Sequence, residues 1–68
     1  MENVNLAFIE LTEKARGKKW TINANAISSF ASCENGTIIC FFGEGTSLEV
    51  KEDYETIRTI INKAGVII

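Results

Sequence analysis

The sequence predicts an α+β fold in which about five short antiparallel strands form a meander and one C-terminal helix follows them. Apolar and polar residues alternate with period two in residues 6–12 and 19–23, and from Glu52 the apolar spacing becomes helical. The strands are expected at about 6–12, 19–23, 27–33, 37–42 and 46–50, and the helix at about 53–64. The sheet would be either curled or a small open barrel.

The first two strands form a hairpin whose register follows from the pattern. A polar loop that ends in Gly17 would place Leu11 opposite Trp20 and Ile9 opposite Ile22. A slip by one residue would set apolar side chains against polar ones throughout, so this register is well determined.

The middle hairpin carries a strong turn signal, Asn35-Gly36, because both central residues of a type I′ turn need a positive φ. This turn would pair Phe30 with Phe41 and Ala31 with Cys40. The strand that follows it is apolar on both faces, which is typical of a strand covered from two sides.

The turn before the fifth strand, Gly43-Glu44-Gly45, leaves two registers open. A two-residue loop would align Leu48 with Phe41, whereas a three-residue loop with a glycine bulge at Gly45 would align it with Cys40. We favour the bulge, because it collects most of the aliphatic side chains on one face, which then packs on the helix: Ile27, Ala31, Ile38, Cys40, Leu48 and Val50.

The helix has recognisable ends. Asp53 is expected to be the N-cap residue and Gly65 the residue just beyond the C-cap. Apolar residues recur between them at helical spacing and should pack on the sheet, because a helix of about ten residues is marginal alone: Tyr54, Ile57, Ile60, Ile61 and Ala64.

Length and composition restrict the function. The chain has 68 residues, seven basic against nine acidic, no histidine and two cysteines, which allows one domain. Without histidine, no Ser-His or Cys-His catalytic arrangement can form within one chain, and two cysteines cannot supply the four ligands of a zinc site. We therefore expect no enzyme activity, no cofactor and no metal.

The same composition predicts a cytoplasmic protein. The start of the chain is acidic, and its longest apolar run is too short for a signal peptide or a membrane span. The thiols of Cys33 and Cys40 should therefore be reduced. The predicted register also sets these two residues diagonally across the hairpin, where a disulfide does not fit well.

The second face of the middle hairpin suggests self-association. If the aliphatic face packs on the helix, Phe30, Ile39 and Phe41 point away from it, and an exposed apolar patch of this kind usually marks an interface. We expect a homo-oligomer, a dimer or higher, or binding of another protein, with the apolar tail residues Ile67 and Ile68 as additions. The alternative is a sheet that curls and buries both faces within one chain.

A basic cluster in the first hairpin supports a second hypothesis, in which a small barrel binds nucleic acid. The cluster consists of Lys14, Arg16, Lys18 and Lys19. The net charge of −2 and the position of the phenylalanines in other segments count against this hypothesis, so we place nucleic acid below protein as the partner.

Several segments also carry a resemblance to a known family: Ile9-Glu10-Leu11-Thr12, Gly17 with Trp20, Ile22-Asn23-Ala24 with Ile27, Thr37-Ile38-Ile39, Gly45, and Val50-Lys51-Glu52 before an acidic-apolar helix. Together they resemble the FlbD-like small proteins linked to bacterial flagella and swarming motility, over roughly residues 8–63. The chain departs from that pattern in its additional N-terminal residues, its Asn35-Gly36 turn and its more apolar fourth strand. It is also similar to small phage proteins. The resemblance implies a non-catalytic cytoplasmic accessory protein of a bacterium or its phage, and it carries over no functional residues.

Overall fold

The computed structural model describes residues 7–43 and 45–66. In chain order its elements are β1 (Phe8–Thr12), β2 (Lys19–Asn23), a 3₁₀ turn (Ala24–Ala26), β3 (Ile27–Cys33), β4 (Gly36–Phe41), β5 (Ser47–Val50) and α1 (Tyr54–Lys63). The strands form two antiparallel sheets, β1-β2 and β3-β4-β5, which do not close into a barrel. The predicted α+β class, with five strands and a C-terminal helix, is confirmed.

The register of the first hairpin is confirmed as well. Leu11 lies opposite Trp20 and Ile9 opposite Ile22. The Glu13 N–H donates to the Lys18 carbonyl at 2.7 Å and so closes the loop. Ile9 and Leu11 are buried in the core, as the alternation of apolar residues predicts.

The turn of the middle hairpin differs from the prediction. The turn residues are Glu34 and Asn35, and Asn35 alone of this pair has a positive φ, 62°. Gly36 is the first residue of β4, and a Cβ on it would lie 2.1 Å from the Val50 carbonyl oxygen. Glycine is therefore required here for the close approach of β5 and not for the turn. The observed register pairs Phe30 with Ile39, where the prediction paired it with Phe41.

The connection between β4 and β5 is longer than both predicted loops. The Phe41 N–H donates to the Thr46 carbonyl, and Leu48 lies opposite Ile39 instead of Cys40. Residues 42–45 therefore form the loop, one residue more than the favoured bulge. Because side chains alternate between faces, this shift places Leu48 and Val50 on the same face as Ile39.

The prediction of which face of the sheet packs on the helix is consequently wrong. Ile39 is fully buried, at 0% exposure, and belongs to the core with Ile57 and Ile61 of the helix. Phe30 packs its ring against Tyr54 of α1, and Phe41 is half-buried against the core. These three residues lie on the helix side, so they do not form an outward patch. Ile67 and Ile68 lie outside the described residues.

The two sheets meet where the end of β1 passes beside β5. The Lys51 N–H donates to the Thr12 carbonyl and the Lys14 N–H donates to the Glu49 carbonyl, both at 2.9 Å. Glu13 and Val50 form an isolated antiparallel β-bridge between these two bonds. The first hairpin therefore continues the larger sheet at its β5 side. This contact leaves β2 and β3 as the outer strands.

Glu52 ties this junction to the start of the helix. Its carboxylate accepts the Thr12 N–H at 3.0 Å and the Thr12 hydroxyl at 2.9 Å. Its carbonyl accepts the hydroxyl of the buried Thr37 at 2.7 Å. The residue therefore links β1, β4 and the segment that enters α1.

The helix begins and ends as predicted. The Asp53 carboxylate accepts the Thr56 N–H at 2.8 Å, and this bond lowers the pKa of Asp53. At the other end Gly65 has a φ of 79°, and the Val66 N–H donates to the Ile61 carbonyl at 3.2 Å, as in a Schellman motif. The helix lies over β3 and β4 with Ile57 and Ile61 buried.

We expect Gly36→Ala to destabilise the fold by more than about 2 kcal/mol, because the new methyl group collides with the backbone of β5. Gly45→Ala is the control, since that position is open and the cost of its positive φ should be only about 1 kcal/mol. Urea unfolding measures both. Equal losses in the two variants would contradict the close approach of Val50.

Glu52→Gln should reduce the sensitivity of the fold to acid. Burial raises the pKa of Glu52, but the hydrogen bonds from Thr12 and the charge of Lys19 outweigh it and leave the pKa below its ordinary value of 4.5. A lowered pKa in the folded state stabilises the fold at neutral pH, and this contribution is lost as the pH falls from the ordinary value through the folded-state pKa.

The measurement is the free energy of unfolding between about pH 6 and about pH 3. The wild type should lose more stability over this range than Glu52→Gln, by a small margin because the half-buried carboxylate is partly screened by solvent. Glu10→Gln, at an exposed position on β1, is the charge-matched control. If Glu52→Gln and the wild type lost equal stability on acidification, the Thr12 hydrogen bonds would not lower the pKa of Glu52 in the folded state.

Candidate interaction site

Strand β3 is an outer strand with an open side. It pairs with β4 on one side only, and within residues 7–43 and 45–66 no strand pairs with its other side. An open strand edge presents backbone N–H and C=O groups that can accept another strand.

The hydrogen bonds identify which groups of β3 face outward. The Phe41 N–H faces β5, and successive residues of a strand direct their backbone groups to alternate sides, so Cys40 and Ile38 face β3. Their partners Ser29 and Ala31 must then face β4. Phe30 and Ser32, between and beyond them, direct their N–H and C=O groups away from the sheet.

The same argument applies to β2, the other outer strand. The Glu13 N–H faces Lys18, so Leu11 and Trp20 also face each other, and Thr21 directs its backbone groups outward. The molecule therefore has two open edges of similar geometry.

The two edges differ in their protection against pairing. Strand β3 has seven residues, Ile27–Cys33, and none of them is charged. Strand β2 contains Lys19 and follows directly on Lys18, and lysine on an edge is a common device against strand addition. The β3 edge is the one on which another strand meets no charge.

A cleft runs along this edge between β3 and α1. Its volume is about 480 Å³, and its walls are formed by Ser29, Phe30, Tyr54, Arg58, Ile61, Asn62 and Val66. The rings of Phe30 and Tyr54 lie 5.0 Å apart at an angle of 36°, a tilted aromatic contact. The cleft therefore offers apolar surface directly beside the open backbone groups of β3.

Two opposite charges flank the cleft without forming an ion pair. Arg58 lies beside Ser29 and Phe30, while Glu55 borders a second hollow with Ser32 and Cys33. Neither charge has an ionic partner among the described residues. The helix thus runs antiparallel to β3. The negative charge of Glu55 lies toward the C-terminal end of the strand, and the positive charge of Arg58 lies toward its middle.

Of the predicted interface residues that the structure describes, Phe30, Ile39 and Phe41, only Phe30 lines this cleft, and it does so on the helix side of β3. Tyr54, Arg58 and Asn62 were not predicted as site residues. Their spacing of four residues places them along one side of the helix, next to the buried isoleucine stripe. That spacing is the signal from which they could have been identified.

One of the four side chains of the basic cluster already makes polar contacts within the chain. The ammonium group of Lys14 donates to the Glu34 carbonyl and lies 3.9 Å from the Glu49 carboxylate. Arg16, Lys18 and Lys19 are exposed. Trp20, which follows Lys18 and Lys19 in the sequence, is 45% exposed.

The most exposed aromatic side chains lie elsewhere. Phe8 is 58% exposed on β1 and Phe42 is 70% exposed just after β4. Neither of them lines the cleft between β3 and α1. Single exposed apolar residues are common on protein surfaces.

The two cysteines do not form a disulfide with each other. Cys33 lies opposite Gly36 and Cys40 opposite Ser29, and both thiols are free and half-buried. In the described part of the chain, no three acidic or cysteine side chains come close enough to hold a metal ion.

The chain matches no family model. No curated protein matches it either. The same is true of the solved structures. The resemblance to the FlbD-like proteins therefore stays a prediction. Among the described residues, no helix has the length and apolar character needed to cross a membrane.

Proposed function

We propose that this protein is a non-catalytic interaction module of the cytoplasm that self-associates by strand addition along β3. The observation that carries the proposal is the uncharged, open edge of β3 beside a cleft that contains the Phe30 and Tyr54 rings. A second copy presents the same uncharged strand, so two copies can pair without repulsion between like charges. Self-association is the function that the sequence predicted, but the sequence predicted contact through an apolar sheet face, whereas the proposal is strand addition along the β3 edge.

The size of the chain also supports the proposal. A domain of this length buries only about 60% of the surface that its unfolded chain exposes, so its stability margin is thin. Pairing of β3 strands would satisfy open backbone groups and cover the cleft. Self-association is a common means by which small domains gain stability.

The test is a variant that blocks the edge without disturbing the sheet. Ser32→Pro removes an N–H that faces outward, and proline is tolerated on edge strands. Sedimentation velocity over a concentration series should show association of the wild type and a folded 7.5 kDa monomer for Ser32→Pro.

Thr21→Pro is the matched control, because it removes an outward-facing N–H from the other open edge. It should associate as the wild type does. A wild type that stays a monomer at every concentration, or a Ser32→Pro variant that still associates, would overturn the proposal.

Binding of single-stranded nucleic acid is a second candidate function. The exposed side chain of Trp20 in the same hairpin as the exposed Arg16, Lys18 and Lys19 favours it, since aromatic stacking combined with cations is how such strands are bound. The engagement of Lys14 with Glu34 and Glu49 reduces the positive charge available there.

The single tryptophan makes this second candidate easy to test. Stacking of a base on Trp20 should quench its fluorescence when a single-stranded oligonucleotide is added at low salt, and the effect should weaken steeply as salt increases. The double variant Lys18→Glu, Lys19→Glu should abolish the quenching. Unchanged fluorescence of the wild type would exclude this function.

A further inference from the structure

We infer that two copies pair their β3 strands antiparallel about a twofold axis at Ala31, and that Arg58 of each copy faces the partner's Glu55. The inference rests on the proposed self-association and adds its geometry and its recognition pair. The occupant of the β3 edge is thus a second copy of this chain.

The outward-facing groups of β3 select this register. Phe30 and Ser32 direct their N–H and C=O groups outward, so a hydrogen-bonded pair must join such residues from both copies. With Ala31 on the axis, Phe30 pairs with the partner's Ser32 and Ser32 with the partner's Phe30. Every outward-facing backbone N–H and C=O group between Ser29 and Cys33 then has a hydrogen-bond partner.

The two neighbouring registers would place hydrogen-bonded pairs on irregular backbone. An axis at Phe30 would pair Ser32 with the partner's Ser28, which lies in the register shift between Ile27 and Ser29. An axis at Ser32 would pair Phe30 with the partner's Glu34, which is a turn residue and not part of a strand. The axis at Ala31 avoids both irregularities.

The side chains along the pair are compatible with close approach. On the face away from the helix, Ala31 meets the partner's Ala31 and Ser29 meets the partner's Cys33, all of them small. On the helix face, Phe30 lies opposite the partner's Ser32, so a large side chain meets a small one.

The helices then bring opposite charges together. Arg58 lies beside Ser29 and Phe30, and Glu55 lies beside Ser32 and Cys33. The register sets Ser29 and Phe30 against the partner's Cys33 and the partner's Ser32, so the cleft that Arg58 lines comes opposite the hollow that the partner's Glu55 lines together with Lys51 and Asp53 of that copy. The twofold axis repeats the contact, so the two unpaired charges on each helix satisfy each other.

Charge complementarity favours a second copy over a foreign strand. The uncharged β3 edge alone would accept any extended segment of suitable shape. A second copy also supplies the acid opposite Arg58 and the base opposite Glu55 at the correct spacing. Complementary charges of this kind fix the register and the choice of partner more than they add affinity.

Charge reversal tests the pair directly. Arg58→Glu alone places two acids opposite each other in both contacts of the homodimer, and Glu55→Arg alone does the same with two bases. Each variant should raise the dissociation constant about tenfold or more at low salt, as measured by sedimentation velocity. Circular dichroism verifies that each variant is folded.

The decisive sample is the equimolar mixture of the two variants. In that heterodimer both contacts again join an acid with a base, so association should return to within about threefold of the wild type. The double variant Arg58→Glu, Glu55→Arg should also associate as a homodimer. Lys63→Glu, on the same helix but outside the cleft, is the control and should leave association unchanged.

The outcomes separate this inference from the proposed function. Association of the wild type that Ser32→Pro abolishes, together with recovery in the mixture, supports both. If Ser32→Pro abolishes association but the mixture is no tighter than the single variants, the inferred register is wrong while the function of the β3 edge stands. A wild type that is always a monomer overturns both.

Discussion

The pairing of β4 with β5 is the constraint on which the rest of this structure depends. Thr37 lies opposite Val50 and Ile39 opposite Leu48, so these four side chains share one face of the sheet, and that face packs in the core with the helix. Because β4 is apolar on both faces, its own sequence does not decide which face turns to the helix. The aromatic contact of Phe30 with Tyr54 and the cleft between β3 and α1 follow from that choice.

Much of the fold could be predicted, and the failures have a common physical origin. The β1-β2 register and the ends of α1 follow from clear local signals, namely strict alternation, the Asp53 cap and Gly65. The loop at 42–45 gives no such signal, since glycines at 43 and 45 suit several loop lengths. A shift of one residue at this loop reversed the predicted facing of Phe30, Ile39 and Phe41.

The site was less predictable than the fold, because it depends on contacts between distant segments. Gly36 looked like a turn residue, although it is needed where the Val50 backbone comes close. The binding of Thr12 by the Glu52 carboxylate joins residues 40 positions apart, and no local pattern signals such a contact. The openness of the β3 edge likewise depends on where the first hairpin docks, which is beside β5.

Amide hydrogen exchange of β3 at several protein concentrations tests the account most directly. The Ala31 N–H, which faces β4, should be protected at every concentration. The N–H groups of Phe30 and Ser32 should exchange rapidly in dilute protein and become protected as the concentration rises. Protection of both in dilute monomer, or rapid exchange of both in concentrated protein, would contradict an open edge that pairs with a second copy.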